Sequence, residues 1–525
     1  MKSGWPVLIC LIFSFNLSAQ TVKVSYSDLF VLKGDSWKDV QGSTFLFGGH
    51  FYCAATDYIN RLHLSLTVTL AKIKYSINLL QLDKQMNETK KVTIDTPGHL
   101  GPFEPTVVPF AGKIWVFYYQ MPETSGIDLL YSVVDPETMA VEPAKKLGTI
   151  AESNSWGGKL IRDMEKNSLQ ISYSPDSSKL LVAQVGNTSD IMTFVFDEHG
   201  PMGKPRISHL EEGSPQHTTF IQACLSSAGD RILSFQFFID RHFQGALLIQ
   251  NSRGRDKWVS VEQTKDGFLA DRLSVRQSAV SGKMYVFGAS TDGKVDRGVF
   301  LTTLDPEKLR LAPAEVYPYP AELIAKVEKL NYVNRQSKEV AIWRTYYSLS
   351  ELTNGTIILS GFPVISGSGT TTKSFGMNAG TMQSYSIDNA GPPIFMCIKD
   401  GKCAAALIPR SQEHTAASDI VIIPYQDKFV CVYNDNEKNI QMDDSKINKK
   451  IWGADQLVLA YAVFGGDGSL IERRKLGDKI DNLLSFTKLQ QSLSSTRFLV
   501  PLCEYKPYEL LGYLHMRRWA TVSIE

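Results

Sequence analysis

A pair of apolar strands joined by a tight turn recurs along this chain of 525 residues. In each copy the turn is polar or ends in Gly, and the second strand is rich in apolar and aromatic residues. The copies are Thr44–Ala55, Thr106–Tyr119, Ile171–Ala183, Ile221–Phe235, Gln277–Ala289, Ser350–Gly361, Ile420–Tyr433 and Ser492–Tyr505. A strand pair cannot bury both faces alone, so its regular recurrence indicates a β-propeller.

A second pattern follows the first in phase. After a hairpin come a third apolar strand, a turn and a more polar fourth strand, as in Leu129–Leu147, Met192–Leu210, Val299–Tyr317 and Leu457–Leu476. Asp-Pro and Asp-Gly pairs such as Asp305-Pro306 and Asp467-Gly468 are turn formers. The sequence therefore predicts an all-β fold, a single propeller of eight blades with four antiparallel strands each; seven blades is the alternative.

The ends of the chain carry two further signals. Lys2 and the apolar run Trp5–Phe15 resemble a secretory leader cut after Ala19, which assigns residues 1–19 to a signal peptide and 20–525 to the propeller. The leader looks bacterial, so we expect an exported protein that is periplasmic, outer-membrane-associated or extracellular, without membrane insertion. A propeller ring must close, and Val22–Val31 is the expected strand partner of the last unit.

Composition narrows the class of protein. Hydrophobic residues make up 43% of the chain and the formal net charge is +1. A charge this close to zero argues against a nucleic-acid-binding protein.

Six cysteines follow the leader. Cys397 and Cys403 flank Ile398–Lys402, and a three-residue loop with Gly401 in the left-handed conformation would place the two cysteines opposite each other. Export permits a disulfide there, although a shift of register would separate the thiols. Cys53, Cys431 and Cys503 are expected to be small buried residues.

Three insertions interrupt the repeat. Residues 320–335 carry Leu323, Val327 and Leu330 at helical spacing and predict a short amphipathic helix. Residues 363–393 are rich in Ser, Gly and Thr and predict either a mobile loop or a binding loop. In the second case the anchors would be its large apolar residues, Phe375, Met377, Met382 and Tyr385. The third insertion, 434–453, is strongly polar and predicts a solvated loop.

Catalytic and metal-binding motifs are scarce. The sequence contains no HExxH, GxSxG, P-loop or paired Cys/His zinc spacing. Asp435, Glu437, Asp443 and Asp444 offer oxygen ligands for Ca²⁺, but neighbouring lysines weaken that alternative. We therefore expect no cofactor and assign no catalytic residue.

One hairpin resembles a known family. Ser174–Val182, SPDSSKLLV, is similar to the SPDG-type hairpin of WD40-like and TolB-like periplasmic propellers, with Ser177 where Gly is usual. The resemblance covers one blade and implies a propeller that often binds proteins at the cell envelope. It implies structural roles for Pro175 and Asp176 in the turn and supplies no catalytic residue.

Two functions fit these features. The preferred hypothesis is an exported, non-enzymatic scaffold that binds a protein partner at a bacterial cell envelope or surface. The alternative is a carbohydrate-active propeller, either a glycoside hydrolase, a lyase or a lectin. Its sugars could stack on tryptophans, namely Trp115, Trp156, Trp258, Trp343 and Trp452. An enzyme of this kind would need two carboxylates converging near the central channel.

Overall fold

Eight antiparallel sheets make up the propeller in the described part of the chain; each has four strand positions, and in four of the sheets one position is divided between two short strands. The computed structural model describes residues 22–26, 45–58, 75–83, 88–94, 99–100, 105–121, 127–150, 169–185, 190–210, 218–239, 242–261, 269–292, 295–329, 345–375, 379–410, 412–413, 420–440, 457–476, 484–485, 491–494, 496–505 and 514–524. The predicted all-β class and the predicted count of eight blades are confirmed. The predicted leader, residues 1–19, lies outside the described residues.

The first four blades follow one another along the chain after an N-terminal strand, β1 (Val22–Tyr26). Blade 1 comprises β2 (Phe45–Phe47), β3 (His50–Tyr58), β4 (Tyr75–Leu82) and β5 (Glu88–Ile94). Blade 2 comprises β6 (His99–Leu100), β7 (Thr106–Phe110), β8 (Lys113–Met121), β9 (Ile127–Val134) and β10 (Lys145–Ile150). Blade 3 comprises β11 (Leu169–Tyr173), β12 (Leu180–Val185), β13 (Asp190–Asp197), β14 (Gly200–Pro201) and β15 (Arg206–His209). Blade 4 comprises β16 (Thr218–Leu225), β17 (Arg231–Ile239), β18 (His242–Gln250) and β19 (Asp256–Ser260).

The second four blades carry the insertions. Blade 5 comprises β20 (Leu269–Gln277), β21 (Met284–Thr291), β22 (Asp296–Asp305), β23 (Arg310–Leu311) and β24 (Glu315–Pro318), and helix α1 (Ala321–Lys329) follows it. Blade 6 is β25 (Tyr346–Glu351) and β26 (Ile357–Phe362), then an inserted hairpin of β27 (Val364–Phe375) and β28 (Ala379–Ala390), then β29 (Ile394–Lys399), β30 (Lys402–Leu407) and the short β31 (Gln412–Glu413). Blade 7 comprises β32 (Val421–Tyr425), β33 (Lys428–Asn436), helix α2 (Glu437–Ile440), β34 (Leu457–Gly465) and β35 (Leu470–Lys475). Blade 8 comprises β36 (Leu484–Ser485), β37 (Gln491–Ser494), β38 (Arg497–Tyr505) and β39 (Leu514–Ile524).

The ring closes through the N-terminal strand. β1 pairs antiparallel with β39, from Val22 opposite Ile524 to Tyr26 opposite Ala520, and so becomes the outer strand of blade 8. This confirms the predicted pairing of the two ends of the chain in one blade. The first strands of successive blades contact one another, as β11 does β16 and β16 does β20, and these strands therefore surround the central axis.

The hydrophobic core lies between neighbouring blades. Phe395 of blade 6 packs on Phe429 and Phe464 of blade 7 with ring centroids 5.1–5.3 Å apart, and Cys431 is buried in the same cluster. Val22 joins a similar cluster between blades 7 and 8. Each blade is apolar on both faces because each face meets another blade, which is why the inner strands read as continuous apolar runs.

The SPDS turn confirms the local prediction from the resembled family. Ser177 adopts a left-handed conformation (φ +56°), the position where Gly is usual. The Asp176 carboxylate accepts hydrogen bonds from the Ser174 hydroxyl (2.6 Å), the Ser178 hydroxyl (2.9 Å) and the Ser178 N–H (3.2 Å). Asp176 therefore stabilises the turn that Ser177 strains.

The register of the β29–β30 hairpin corrects the predicted disulfide. Asp400 (φ +49°) and Gly401 (φ +72°) form a two-residue turn, so Lys399 pairs with Lys402 and Cys397 pairs with Ala404. Asp-Gly suits a two-residue turn in which both φ angles are positive, and the hairpin adopts this turn instead of the three-residue loop. Cys397 and Cys403 consequently lie on opposite faces of the sheet as free thiols, and the predicted bridge is wrong.

Candidate interaction face

The two ends of the blades differ in their connections. In an antiparallel four-stranded sheet, the first and third connections lie at one end, and the second connection and the link to the next blade lie at the other. We call the first end the turn face; it carries short turns such as 111–112, 226–230, 278–283 and 400–401. The other end, the loop face, carries all three insertions predicted from the sequence.

The largest insertion is the β27–β28 hairpin. Twelve residues of β27 pair with twelve of β28 without a break in register, from Val364 opposite Ala390 to Phe375 opposite Ala379. At the base the N–H of Gly391 donates to the Pro363 carbonyl (2.8 Å), and β31 pairs with the last two residues of β28. The hairpin forms a sheet separate from blade 6, and at about 3.4 Å per residue its strands are about 40 Å long.

The register places the predicted anchor residues of this hairpin. In the backbone register, Phe375 lies opposite Ala379, Met382 opposite Thr372 and Tyr385 opposite Gly369. Met377 lies outside the described residues. The segment that was predicted to be a mobile loop or a binding loop is therefore a paired hairpin.

The predicted amphipathic helix is α1, and its apolar residues pack against the propeller. Leu323 and Val327 are buried, and Leu330 lies outside the described residues. Just before the helix, the Tyr319 hydroxyl lies 2.5 Å from the hydroxyl of Tyr347 in blade 6. Burial raises the pKa of both hydroxyl groups well above the usual value, so both keep their protons at physiological pH.

A buried ion pair supports the same corner of the loop face. Arg272 donates to the Asp296 carboxylate at 3.0 Å, and the Thr345 N–H donates to the other oxygen of that carboxylate at 3.1 Å. Both charged side chains are less than one-tenth exposed. Arg272 has a left-handed backbone (φ +51°) at a break in the β20–β21 register, and this bulge directs the strand toward Asp296. The pair thereby links the start of blade 6 to blade 5.

A second buried ion pair lies at the end of β33. Asp435 is fully buried and bonds to Arg473 at 2.5 Å, while Arg473 also donates to the Tyr433 hydroxyl at 2.9 Å. Asn439 of α2 donates its amide to Asp435 at 3.0 Å. The start of insertion 434–453 is therefore a buried anchor for the loop face, which corrects the prediction of a solvated loop there.

The same contacts occupy the carboxylates considered for Ca²⁺. Asp435 is taken by Arg473, and Glu437 bonds to Lys475 at 2.7 Å. Asp443 and Asp444 lie outside the described residues. Within the described ranges, no group of three or more His, Cys, Asp or Glu side chains is placed to hold a metal ion.

Two of the five tryptophans considered for sugar stacking lie in the described part of the chain. Trp115 is buried in the core between blades 2 and 3, and Trp258 is half-buried against Phe235 and Phe237. Trp156, Trp343 and Trp452 lie outside the described residues. Trp115 is therefore a packing residue and offers no surface to a sugar.

Sequence reasoning missed both ion pairs. The partners are 24 residues apart in Arg272–Asp296 and 38 apart in Asp435–Arg473, so no local spacing connects them. The one available signal is an Arg or Asp within a strand whose other positions are apolar.

In the described part of the chain, no helix is long and apolar enough to cross a membrane.

Comparison with known proteins gives structural similarities only. The sequence matches no protein-family model and no curated protein. The polysaccharide lyase Uly1 is 10% identical over 83% of this chain and 93% of its own, with a TM-score of 0.37. The WD40 domain of SCAP from fission yeast is 9% identical over 96% of this chain and 98% of its own, with a TM-score of 0.37. TolB from Acinetobacter baumannii is 13% identical over 56% of this chain and 58% of its own, with a TM-score of 0.23. At these values the similarities concern the propeller fold alone.

Proposed function

We propose that this protein is an exported, non-enzymatic propeller that binds a protein partner through its loop face at a bacterial cell envelope or surface. The observation that carries the proposal is the one-sided placement of the insertions. The β27–β28 hairpin, α1 and α2 all extend from the loop face, while the turn face carries short turns. Loops displayed on a rigid frame are the usual means by which such scaffolds bind partners.

The electrostatics of the loop face support binding over catalysis. Asp296, Asp435 and Glu437 are each engaged by a basic side chain, and the tyrosine pair is protonated at physiological pH. General acid–base chemistry needs groups that titrate near the working pH. The buried charges instead hold insertions to the frame, which reduces the ordering cost when a partner binds.

Excision of the hairpin tests the proposal. β26 and β29 pair directly, with Gly361 opposite Ile394, so residues 365–389 can be replaced by a short Asn-Gly turn without opening blade 6. Crosslinking and affinity purification from the native envelope should retain one stable partner with the wild-type protein and lose it with the excised variant. A matched control replaces Lys283 by Gln on the turn face and should keep the partner.

The carbohydrate-active alternative gives the opposite results. Under it, the purified protein hydrolyses or lyses a member of a polysaccharide panel, and the excised variant retains the same proteins as the wild type. Turnover of a glycan that is lost on substitution of a carboxylate near the central channel would overturn the scaffold proposal. Thermal unfolding of each variant shows whether a loss reflects misfolding.

A further inference from the structure

Blades 6 and 7 leave a groove between their turns on the turn face, at the opposite end of the molecule from the proposed partner surface. Its volume is about 650 Å³, within the range of small-molecule sites. One wall is the β29–β30 hairpin with Lys399 and Lys402, and the other is formed by the blade 7 turns with Asp427 and Asp467. Asp400 also lies on the first wall and Lys428 on the second, so lysines are in excess on one wall and aspartates on the other.

The lysine wall holds two like charges side by side. Lys399 and Lys402 are directly opposite in the register, on the face of the hairpin where Cys397 and Ala404 pack toward blade 7. Like charges directly opposite in a strand pair repel each other. In the described part of the chain neither lysine makes an ion pair, and Asp400 lies between them in the turn at the tip of the hairpin. An oxyanion placed between the two ammonium groups would relieve this repulsion.

The facing wall suits hydroxyl groups. The Asp467 carboxylate is fixed by the Ser469 hydroxyl (2.6 Å) and the Ser469 N–H (3.0 Å), and these bonds lower its pKa, so it stays charged and can accept further hydrogen bonds. Asp427 lies beside it on the neighbouring turn, and Lys428 lines the same groove. A bare inorganic anion would meet two carboxylates here, whereas a ligand with hydroxyl groups on this side would donate to them.

The floor carries an unsatisfied polar group. Thr356 is 1% exposed and lines the groove, and its hydroxyl has no hydrogen-bond partner among the described residues. A Cβ on Gly466 would lie 3.3 Å from this hydroxyl, so the glycine leaves the floor without a side chain. Buried hydroxyls are normally paired, and this one is at the groove without a partner among the described residues.

We infer that this groove binds an acidic sugar, with the acid group on Lys399 and Lys402 and the sugar hydroxyls on Asp427, Asp467 and Thr356. Three features together select the ligand: two lysines without an ion pair among the described residues, facing carboxylate acceptors and a buried hydroxyl. The site is independent of the proposed partner surface, because it lies on the other face of the ring.

Titration of the full exported chain with three probes tests this inference by calorimetry or ligand-observed NMR: sodium glucuronate, glucose and inorganic sulfate. Glucuronate should bind saturably and more tightly than either other probe. Joint replacement K399Q and K402Q should weaken glucuronate binding about tenfold or more, since two charge-assisted bonds are lost. T356V should weaken it by a smaller factor of about three to ten.

The control is K283Q, which removes an exposed turn-face lysine in blade 5 and should leave glucuronate binding unchanged. Sulfate bound as tightly as glucuronate would mean an adventitious ion only and would overturn the inference. Equal binding of glucose, no saturable glucuronate binding, or binding insensitive to K399Q and K402Q would overturn it as well. The hairpin-excised variant should bind glucuronate normally, so failure of the partner proposal is distinguishable from failure of this one.

Discussion

Hydrogen bonds from single side chains stabilise turns of this propeller in which the backbone is strained. Ser177 is left-handed although it has a Cβ, a conformation that costs roughly 1–2 kcal/mol for an L-residue. The turn persists because the Asp176 carboxylate accepts three hydrogen bonds from Ser174 and Ser178. The bonds from the Ser174 and Ser178 side chains, with that from the Ser178 backbone, lower the pKa of Asp176 to about 2.

The lowered pKa of Asp176 makes the stability of the protein depend on pH. A carboxyl group with a depressed folded-state pKa contributes stability above its unfolded value of 3.8, and this contribution is lost as pH falls toward 2. We expect Asp176→Asn to be less stable than wild type at pH 5 to 7 and the difference to shrink from pH 4 downward. Urea unfolding of both proteins across this range measures it. A difference that stays constant down to pH 2.5 would contradict the prediction.

Removal of one partner of the buried Asp435–Arg473 pair should have a larger effect. Asp435→Asn keeps the shape of the side chain but leaves Arg473 buried without its carboxylate, which typically costs about 3–5 kcal/mol. Asp427→Asn, at an exposed turn position, is the matched control and should change stability by less than about 0.5 kcal/mol. Chemical denaturation compares the two variants, and equal midpoints would show that the buried pair contributes nothing.

At the scale of elements, turn chemistry decides register and register decides contacts. The Asp400-Gly401 turn places Cys397 in the core between blades 6 and 7 and Cys403 on the other face of the same hairpin. One extra loop residue would have placed the two cysteines opposite each other. In the same way, the ladder of β27 with β28 converts a Ser/Gly/Thr-rich segment into a regular element with two distinct faces.

The thiols of this hairpin should therefore be free and slow to react. Burial raises the pKa of Cys397 to about 12 and that of Cys403 to about 11, so little thiolate exists at pH 8. Iodoacetamide should modify both slowly in the native protein and rapidly after unfolding, as followed by intact mass. A disulfide-linked peptide containing both cysteines in a non-reducing digest would contradict the observed register.

At the scale of the whole molecule, stability depends on closing the ring. The contacts of each blade are almost all with its two neighbours, so the last blade must be completed for the ring to be continuous. β1 completes it: Val22 and Val24 face the core between blades 7 and 8, and Lys23 and Ser25 are exposed.

A paired substitution in β1 tests closure. Val22→Ser with Val24→Ser removes the buried apolar side chains and should cost about 2–4 kcal/mol. Ser25→Ala on the exposed face of the same strand should cost less than about 0.5 kcal/mol. Thermal unfolding, with light scattering for aggregation through the freed β39 edge, distinguishes these outcomes. Equal unfolding temperatures would mean that the ring does not depend on this strand.

Much of the fold could be predicted because it depends on patterns of residues that are close together in the sequence. Alternating and continuous apolar runs identify strands, and their regular recurrence predicts eight blades. The helical spacing of Leu323 and Val327 predicts α1, and the strand at Val22 predicts closure with the last unit. Each of these signals lies within a few residues of the element it describes.

The candidate sites could not be predicted in the same way. Arg272 meets Asp296 and Asp435 meets Arg473 across strands or blades, at sequence separations of 24 and 38 residues. Lys399 and Lys402 face Asp427 and Asp467 only because blades 6 and 7 are neighbours in the ring.

The sequence by itself determined the strands of the blades, the repeat and the ring closure of this protein, because those depend on residue periodicity. The tertiary structure alone decided the pairing of buried charges and the meeting of the blade 6 and blade 7 turns at the groove. These depend on which distant segments the closed ring brings within a few ångströms of one another. No pattern of neighbouring residues contains that information.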